Sequence, residues 1–600
     1  MSATASSAAP LASRSIYIFR KALRLHDNES LLSAVAGATV LFPVFILDPH
    51  FCRPATLHAN RFNFLLESLA DLDASLRALG SRLFVVRGAP ATVLPTLLTE
   101  WRVGRVTWED DTEPYAQERD AVLSALCAAR GVASTAVHGH TLWAPAALAA
   151  RAGGAARVPS SYESFLKLAA SLPPPPKPFP RPTALPPAAA CGVSEGMHGL
   201  PTLAACGYDP AAVTTFFRGG GGETAALARL RARVETRQDW VRHFSKPHTN
   251  PTALAPDTTG LSPHLKFGCL GARTFYWALE GVPGKATAPP VSLTGQLLWR
   301  DFFYAQAWAA GRNFGVMVGN PLCRQVAWGY DAALLEAWER GRTGYPWIDA
   351  CMAQLRRDGW LHHLGRHAVA CFLTRGDLWQ SWEHGARIFD KYLVDSDWAL
   401  NNGNWMWLSC SAFYYQYFKV YSPVSFAKKL DPNGDYIRKF LPQFKDFPAK
   451  FIYEPWEAPL AVQRAHGVEV GVGYPARVVI HDTASRANKE RMAQAYEAHK
   501  EGRGAEQAAA AAHLAKGAGA AQVGGAAAGS RAWKDAPAEG GGGDEGGGGG
   551  GGGASSSSSS GSSSAVAAAA PALPAAGGGK RRRQESLEEA LARQGGAAKK

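Results

Sequence analysis

The chain has 600 residues, too many for one hydrophobic core, so two folded domains with unstructured ends are expected. Hydrophobic residues make up 46%, yet no uninterrupted apolar run of about 18 residues occurs, which argues against a transmembrane helix and a membrane partner. The formal net charge of +13 permits a polyanionic partner; residues 501–600 carry eleven Lys/Arg and nine Asp/Glu, or +2, and leave the excess to the rest of the chain.

Residues 1–14 are small, hydroxylated and free of acid, as in organelle-transit leaders, but the segment is short and not clearly amphipathic and reads as a disordered leader. From 15 to 140, short β-branched or aromatic runs (Ser15 to Phe19, Val40 to Leu47, Leu83 to Arg87, Arg105 to Trp108) alternate with stretches of helical periodicity (Arg61 to Leu79, Ala91 to Glu100, Glu118 to Arg130). That order predicts a parallel sheet covered by helices on both faces, a Rossmann-like α/β domain. No G-x-G-x-x-G follows a strand, so a nicotinamide dinucleotide is not indicated. Between 141 and 215 periodicity weakens, and the prolines at 173–176, 178, 180 and 182 predict a stiff interdomain linker on the surface. After the glycines at 219–222, a helical pattern opens at Glu223 and runs to about 497, which predicts a second, all-α domain over 216–497.

From 498 onward, alanine runs, a glycine tract, a serine tract and the basic cluster at 580–583 form a low-complexity tail, expected to be disordered. The cluster fits a nuclear import signal, and equally a solvated charge run; a nuclear location is the expectation, with cytoplasm or plastid as alternatives. The nine cysteines form no C-x-x-C pair and read as reduced core thiols of an intracellular protein, with no disulfide frame and no metal site.

Most of the eighteen tryptophans fall between 299 and 407. Trp379 and Trp382 are three apart, which on one helix places them on a shared surface; packing explains such a cluster, and so does a row of oxidisable indoles. His363 and His367 are four apart and share a helix face. The zinc-protease pattern fails there, because position 364 is Leu and not Glu.

Six ordered segments carry a resemblance: residues 19–28 (FRKALRLHDN), 259–268 (TGLSPHLKFG), 298–303 (LWRDFF), 341–349 (GRTGYPWID), 359–367 (GWLHHLGRH) and 395–407 (DSDWALNNGNWMW). Over roughly 15 to 497 the chain resembles the DNA photolyases and cryptochromes, with the (6-4) photolyases and animal-type cryptochromes nearest. Membership implies FAD in the helical domain. By resemblance, Thr258, Thr259, Gly260, Leu261 and Ser262 form its phosphate-binding turn, with Phe244 and Lys246 near an upstream contact. Asp395 and Asp397 face the flavin, Arg366 pairs with Asp395, and Asn401 stands opposite flavin N5. The resemblance implies an electron path from Trp405 through Trp382 to Trp328, with Trp379 as an outer fourth member. It makes His363 and His367 the catalytic pair beside a flipped-out (6-4) lesion, and Gln296, Trp299, Trp407 and Tyr421 the lesion contacts. Cyclobutane-dimer photolyases carry asparagine where this chain has His363.

The resemblance thus implies blue-light repair of (6-4) photoproducts in UV-damaged DNA by electron transfer assisted by a histidine proton titrating near neutral pH, in a protein that also senses light as a cryptochrome. The alternative is a signalling photoreceptor or regulator of light responses without repair, acting on protein partners through the tail. A second antenna chromophore, deazaflavin or folate, is also implied. Ile18 replaces the family's opening tryptophan.

Overall fold

The computed structural model describes residues 13–188, 198–254 and 258–502. The basic cluster at 580–583, Cys191 and most of the leader lie outside the described residues. Five strands, β1 (Arg14–Phe19), β2 (Val40–Leu47), β3 (Phe84–Arg87), β4 (Arg105–Glu109) and β5 (Ala133–Val137), form one parallel sheet in the order β3-β2-β1-β4-β5. The first four arise from the runs that predicted strands. β5 was not predicted: its sequence, ASTAV, is short and partly exposed at the sheet edge, and only pairing with β4 makes it a strand. The helices α1 (Glu29–Val35), α2 (Ala59–Arg77), α3 (Pro90–Glu100) and α4 (Pro114–Ala128) connect the strands. Each β-α-β crossover buries one apolar stripe on the sheet.

The segment 141–215 is more than a linker. It contains α5 (Pro145–Ala152) and α6 (Tyr162–Ala170), and α6 buries Phe165 completely. The weak periodicity reflects two short helices rather than none. The proline run that follows is fastened by indoles: Trp143 Nε1 donates to Pro173 O (2.9 Å), and Trp277 Nε1 to Pro175 O (3.2 Å) and Pro176 O (3.1 Å).

The rest is helical, as the periodicity predicts. It runs through α7 (Glu223–Leu230), α8 (Gln238–His243), α9 (Ser262–Phe267), α10 (Ala272–Glu280), α11 (Leu293–Ala310), α12 (Ala332–Arg340) and α13 (Pro346–Asp358). Then come α14 (His363–Cys371), α15 (Trp382–Tyr392), α16 (Trp398–Leu408), α17 (Ser425–Lys428), α18 (Asp435–Phe440), α19 (Leu460–Ala465) and α20 (His481–Lys500). A contiguous core joins the two domains: Phe64 of α2 lies against Phe267 of α9, ring centroids 5.2 Å apart.

The loop after β1 explains the motif at 19–28. Arg24, 1% exposed, donates to Asp27 O (2.8 Å) and Gly139 O (3.2 Å) within the α/β domain and to Gly268 O (2.9 Å) in the helical domain. Gly268 has φ +66°, and a Cβ there would meet Lys21 O at 1.5 Å, so only glycine allows this approach. Glu223, at the start of α7, accepts from the N–H groups of Leu25 (3.0 Å) and His26 (2.9 Å). Asn28 caps α1 through Leu31 N–H (3.0 Å), accepts from Tyr17 OH (2.9 Å) and donates to Arg24 O (2.9 Å). Asn28→Ala removes the cap and strands a buried phenol, at a cost of about 2 kcal/mol. A fall in the urea midpoint of the α/β domain checks this.

Candidate active site

α14 presents three predicted site residues on one face, His363, Arg366 and His367, because positions three and four apart coincide on a helix. The helix starts at a histidine cap. His362 Nδ1 accepts from Leu364 N–H (3.2 Å), which leaves Nε2 to carry the proton and donate to Thr249 Oγ1 (3.0 Å). Arg366 Nη2 reaches both oxygens of Asp395 (2.9 and 3.1 Å), and Ser262 Oγ donates to Asp395 Oδ2 (2.7 Å). The turn 258–262, α14 and the start of the 395–407 motif therefore converge on one carboxylate.

The imidazoles continue from there. The rings of His363 and His367 are 5.6 Å apart, and His367 lies 5.4 Å from the ring of Trp407. His367 Nδ1 is 3.2 Å from the hydroxyl of Tyr421, and Trp407 packs on Tyr414 at 4.3 Å. Trp407 and Tyr421 are thus brought to the histidines. Gln296 and Trp299 lie on α11, where Trp299 stacks flat on Tyr162 (3.8 Å, 4°) and Gln296 donates to Pro290 O (3.1 Å). Phe303 links that helix to Gly403 of α16, where a Cβ would lie 2.3 Å from its ring.

Neither imidazole of the pair titrates near neutral pH in this structure, contrary to the expectation from sequence. Burial holds both well below the ordinary range, and the neighbouring charges Lys246 and Arg366 act in the same direction, joined by Arg375 at His367. Lys246 itself, pushed down to about 8 by burial and then by Arg366, has no carboxylate partner among the described residues. Arg229, its pKa lowered by burial and then by Arg233, donates to Thr259 O (2.7 Å) and occupies the space where a Cβ on Gly260 (φ +61°) would sit. Arg229, Lys246 and Arg366 against the single carboxylate of Asp395 leave an excess of cations. That donor set fits a diphosphate-bearing cofactor along the turn 258–262.

Asp397 takes a separate place. It caps α16 through Leu400 N–H (3.1 Å), accepts from Tyr304 OH, and lies 3.9 Å from His140 Nε2 of the α/β domain. Burial opposes its charge, but His140, Lys21 and Arg300 hold the carboxyl far below the usual range. Asn401, one turn along, donates its amide N–H to Ala386 O of α15 (2.9 Å).

Trp405 is fully buried on α16, with Phe389 at 4.9 Å and Trp338 at 6.1 Å. A Cβ on Gly385 would lie 2.1 Å from Trp405, so α15 makes room for the indole with a glycine. Trp382 is the first residue of α15, one turn before Gly385, and is also fully buried. Trp328 is buried and Trp379 half-buried, with their rings 4.7 Å apart. Trp379 and Trp382 do not share a helix. Ser381 caps α15, and Trp379 precedes it with a left-handed backbone (φ +55°).

Sequence reasoning missed Tyr162, Tyr304, His140, His362 and Arg375. Each acts across more than 30 residues or through a cap, so no local spacing marks it.

Fold and site together define a protein of two domains, α/β and all-α, with a cationic turn fitted to a diphosphate-bearing cofactor. The family model for the FAD binding domain of DNA photolyase matches residues 292–494, and that for DNA photolyase matches 15–183. The chain is 48% identical over 514 residues to a (6-4) DNA photolyase of Arabidopsis thaliana, covering 81% of this chain and 89% of that one. It is 46% identical over 495 residues to cryptochrome-1 of Gallus gallus, covering 80% and 78%. Among solved structures, a bacterial class III photolyase from Agrobacterium tumefaciens superposes with a TM-score of 0.69 at 28% identity, covering 82% of this chain and all of that one. The chain belongs to the DNA photolyase and cryptochrome family. Among the described residues no helix is long and apolar enough to cross a membrane.

The imidazoles of His362 (held near pH 3), His363 and His367 bind protons less readily in the folded than in the unfolded chain. The unfolded state therefore gains protons first as the pH falls through about 6.5, and stability present above that value is lost below it. Calorimetry of the cofactor-free protein should show the unfolding temperature falling between about pH 7 and pH 5. The fall should be shallower in a His363→Asn/His367→Asn variant; equal slopes would contradict the assignment.

Proposed function

We propose that this protein is a light-driven (6-4) DNA photolyase that binds FAD at the turn 258–262 and Arg366–Asp395 and works on the lesion at the His363–His367 pair. The observation that carries this reading is the meeting of His363, His367, Trp407 and Tyr421 beside a cluster of cations. Held by the turn 258–262 and the Arg366–Asp395 pair, reduced FAD would supply light-driven one-electron chemistry to the lesion and recover the electron at the end.

The chain's own residues do the rest. An extruded base pair finds aromatic walls in Trp407, Tyr421 and Trp299, which offset lost duplex stacking. Lys246 is placed to meet a phosphate, a contact that weakens with salt. Burial and then the neighbouring cations keep the imidazoles neutral, and such an anion opposes the second of these. His363 or His367 then gains a proton only once substrate is bound, and gives it to the oxygen-bearing group that must move back between pyrimidines. The same proton returns to the histidine as the group settles, so the pair ends in the protonation state in which it met the lesion.

The indoles refill the electron. The N–H groups of Trp405 and Trp328 have no acceptor among the described residues, so an oxidised ring has no base to trap its hole, and the hole passes outward toward Trp379. Trp405→Phe should lower blue-light photoreduction of bound FAD by about a hundredfold, read by loss of the oxidised flavin absorbance. Unchanged photoreduction would remove Trp405 from the path.

The discriminating assay illuminates reduced protein with an oligonucleotide carrying one (6-4) lesion, and in parallel one cyclobutane dimer. The parent should restore the first. His363→Ala should keep FAD and bind damaged duplex, with repair lowered by about a thousandfold. Parent protein that restores neither lesion while its flavin still photoreduces favours the second reading, a signalling photoreceptor, which the likeness to vertebrate cryptochromes supports. A second chromophore in the α/β domain extends this proposal. An archaeal photolyase from Sulfolobus tokodaii, 27% identical with a TM-score of 0.65, was solved with two FAD molecules.

A further inference from the structure

Arg375 is 1% exposed and has no carboxylate partner among the described residues. It sits just beyond α14 in a widened turn, Phe372–Gly376, where Asp377 N–H donates to Phe372 O (3.2 Å), five residues back instead of four. Its guanidinium makes three bonds to backbone carbonyls. Nε donates to Leu408 O (2.9 Å), and Nη1 donates to Tyr417 O (2.9 Å) and Lys419 O (2.8 Å). Leu408 is the last residue of α16, where unpaired carbonyls and the helix dipole favour a cation. Tyr417 and Lys419 belong to the segment that leads to Tyr421.

Three elements therefore meet at Arg375: α14, the helix of Trp405 and Trp407, and the segment of Tyr421. The same three meet a second time at His367, through Trp407 (5.4 Å) and the Tyr421 hydroxyl (3.2 Å). The connecting loop needs such fixing. Cys410 (φ +59°) and Phe413 (φ +64°) are held in left-handed backbone that side-chain-bearing residues rarely adopt. Tyr496 OH of α20 also donates to Cys410 O (2.8 Å), so the loop is anchored from both sides.

We propose that Arg375 is a positioning residue: by tying Leu408, Tyr417 and Lys419 to the end of α14, it holds Trp407 and Tyr421 against His367 and fixes the orientation in which that imidazole meets the lesion. For its activity readout this rests on the repair function proposed above. A purely structural anchor would affect stability alone.

The test uses the full chain loaded with FAD. Arg375→Lys keeps the charge but cannot span three carbonyls, and Arg375→Gln removes the charge. Repair per absorbed photon should fall about tenfold in each variant, with affinity for the (6-4) oligonucleotide changed by less than about threefold. In a Tyr421→Phe background, Arg375→Gln should cost less than about twofold more, because both act through the same contact. Nitrogen NMR of His367 supplies a readout independent of repair. Lys246, His362, His363, Arg366 and the Tyr421 hydroxyl face His367 besides Arg375, and Arg375→Gln raises its titration by loss of charge alone. The deciding signal is therefore that of Arg375→Lys, which keeps the charge and should change the His367 ring-nitrogen shifts because the anchor to the Tyr421 segment is lost.

Fully additive losses, or parental repair with an unmoved His367 signal, would overturn the proposal. If the parent itself restores no lesion, the repair function fails, and the NMR readout alone decides the role of Arg375: a moved signal supports it and an unmoved one ends it. Should Arg375→Gln not fold, Arg375→Lys is decided by the repair and cycle readouts.

Discussion

The structure depends on the buried contact between the loop after β1 and the turn at Gly268. Arg24 spends its guanidinium on carbonyls of both domains, and the absent side chain at Gly268 lets the two backbones touch. This contact sets the position of α9, whose first residue, Ser262, donates to Asp395. Asp395 in turn receives Arg366, and Arg366 shares a helix face with the histidine pair. A clamp between domains therefore reaches the chemistry through a short chain of polar contacts, each short enough to be directional. Asp397 gives a second link, since it caps α16 while facing His140 of the α/β domain.

The electrostatics of the site follow from what surrounds it. Lys246, Arg366 and Arg375 lie around the histidine pair and Arg229 lies at the turn 258–262, while Asp395 pairs with Arg366. Such an arrangement is poorly stabilised by burial and well stabilised by phosphate. Burial first, and the same excess of cations after it, depress the basicity of His363 and His367.

The indoles obey a different logic. Trp405 and Trp328 have no acceptor for their N–H among the described residues, an arrangement that costs stability and keeps polar or basic groups away from the rings. Trp379 is half-buried, and its N–H donates to Ala327 O (3.0 Å). Packing and electron passage are compatible uses of one set of side chains, and the likeness to both photolyases and cryptochromes fits a machinery that serves either outcome.

The alternation of β-branched runs and amphipathic stretches was enough to predict a parallel sheet followed by helices, because both periodicities are local. So was the shared face of His363 and His367, and, through the resemblance, the Arg366–Asp395 pair. Local pattern could not reveal β5, which is a strand only because β4 pairs with it, nor the helices of the linker, which pack against α11 and against each other. Trp379 and Trp382 look like helix neighbours by spacing, yet a cap at Ser381 separates them. Arg375 and Gly268 read as an ordinary charge and an ordinary turn until contacts across 33 and 247 residues appear. The basicity of the histidines was decided last of all: residue type sets it near neutrality, and only burial among cations from separate elements lowers it.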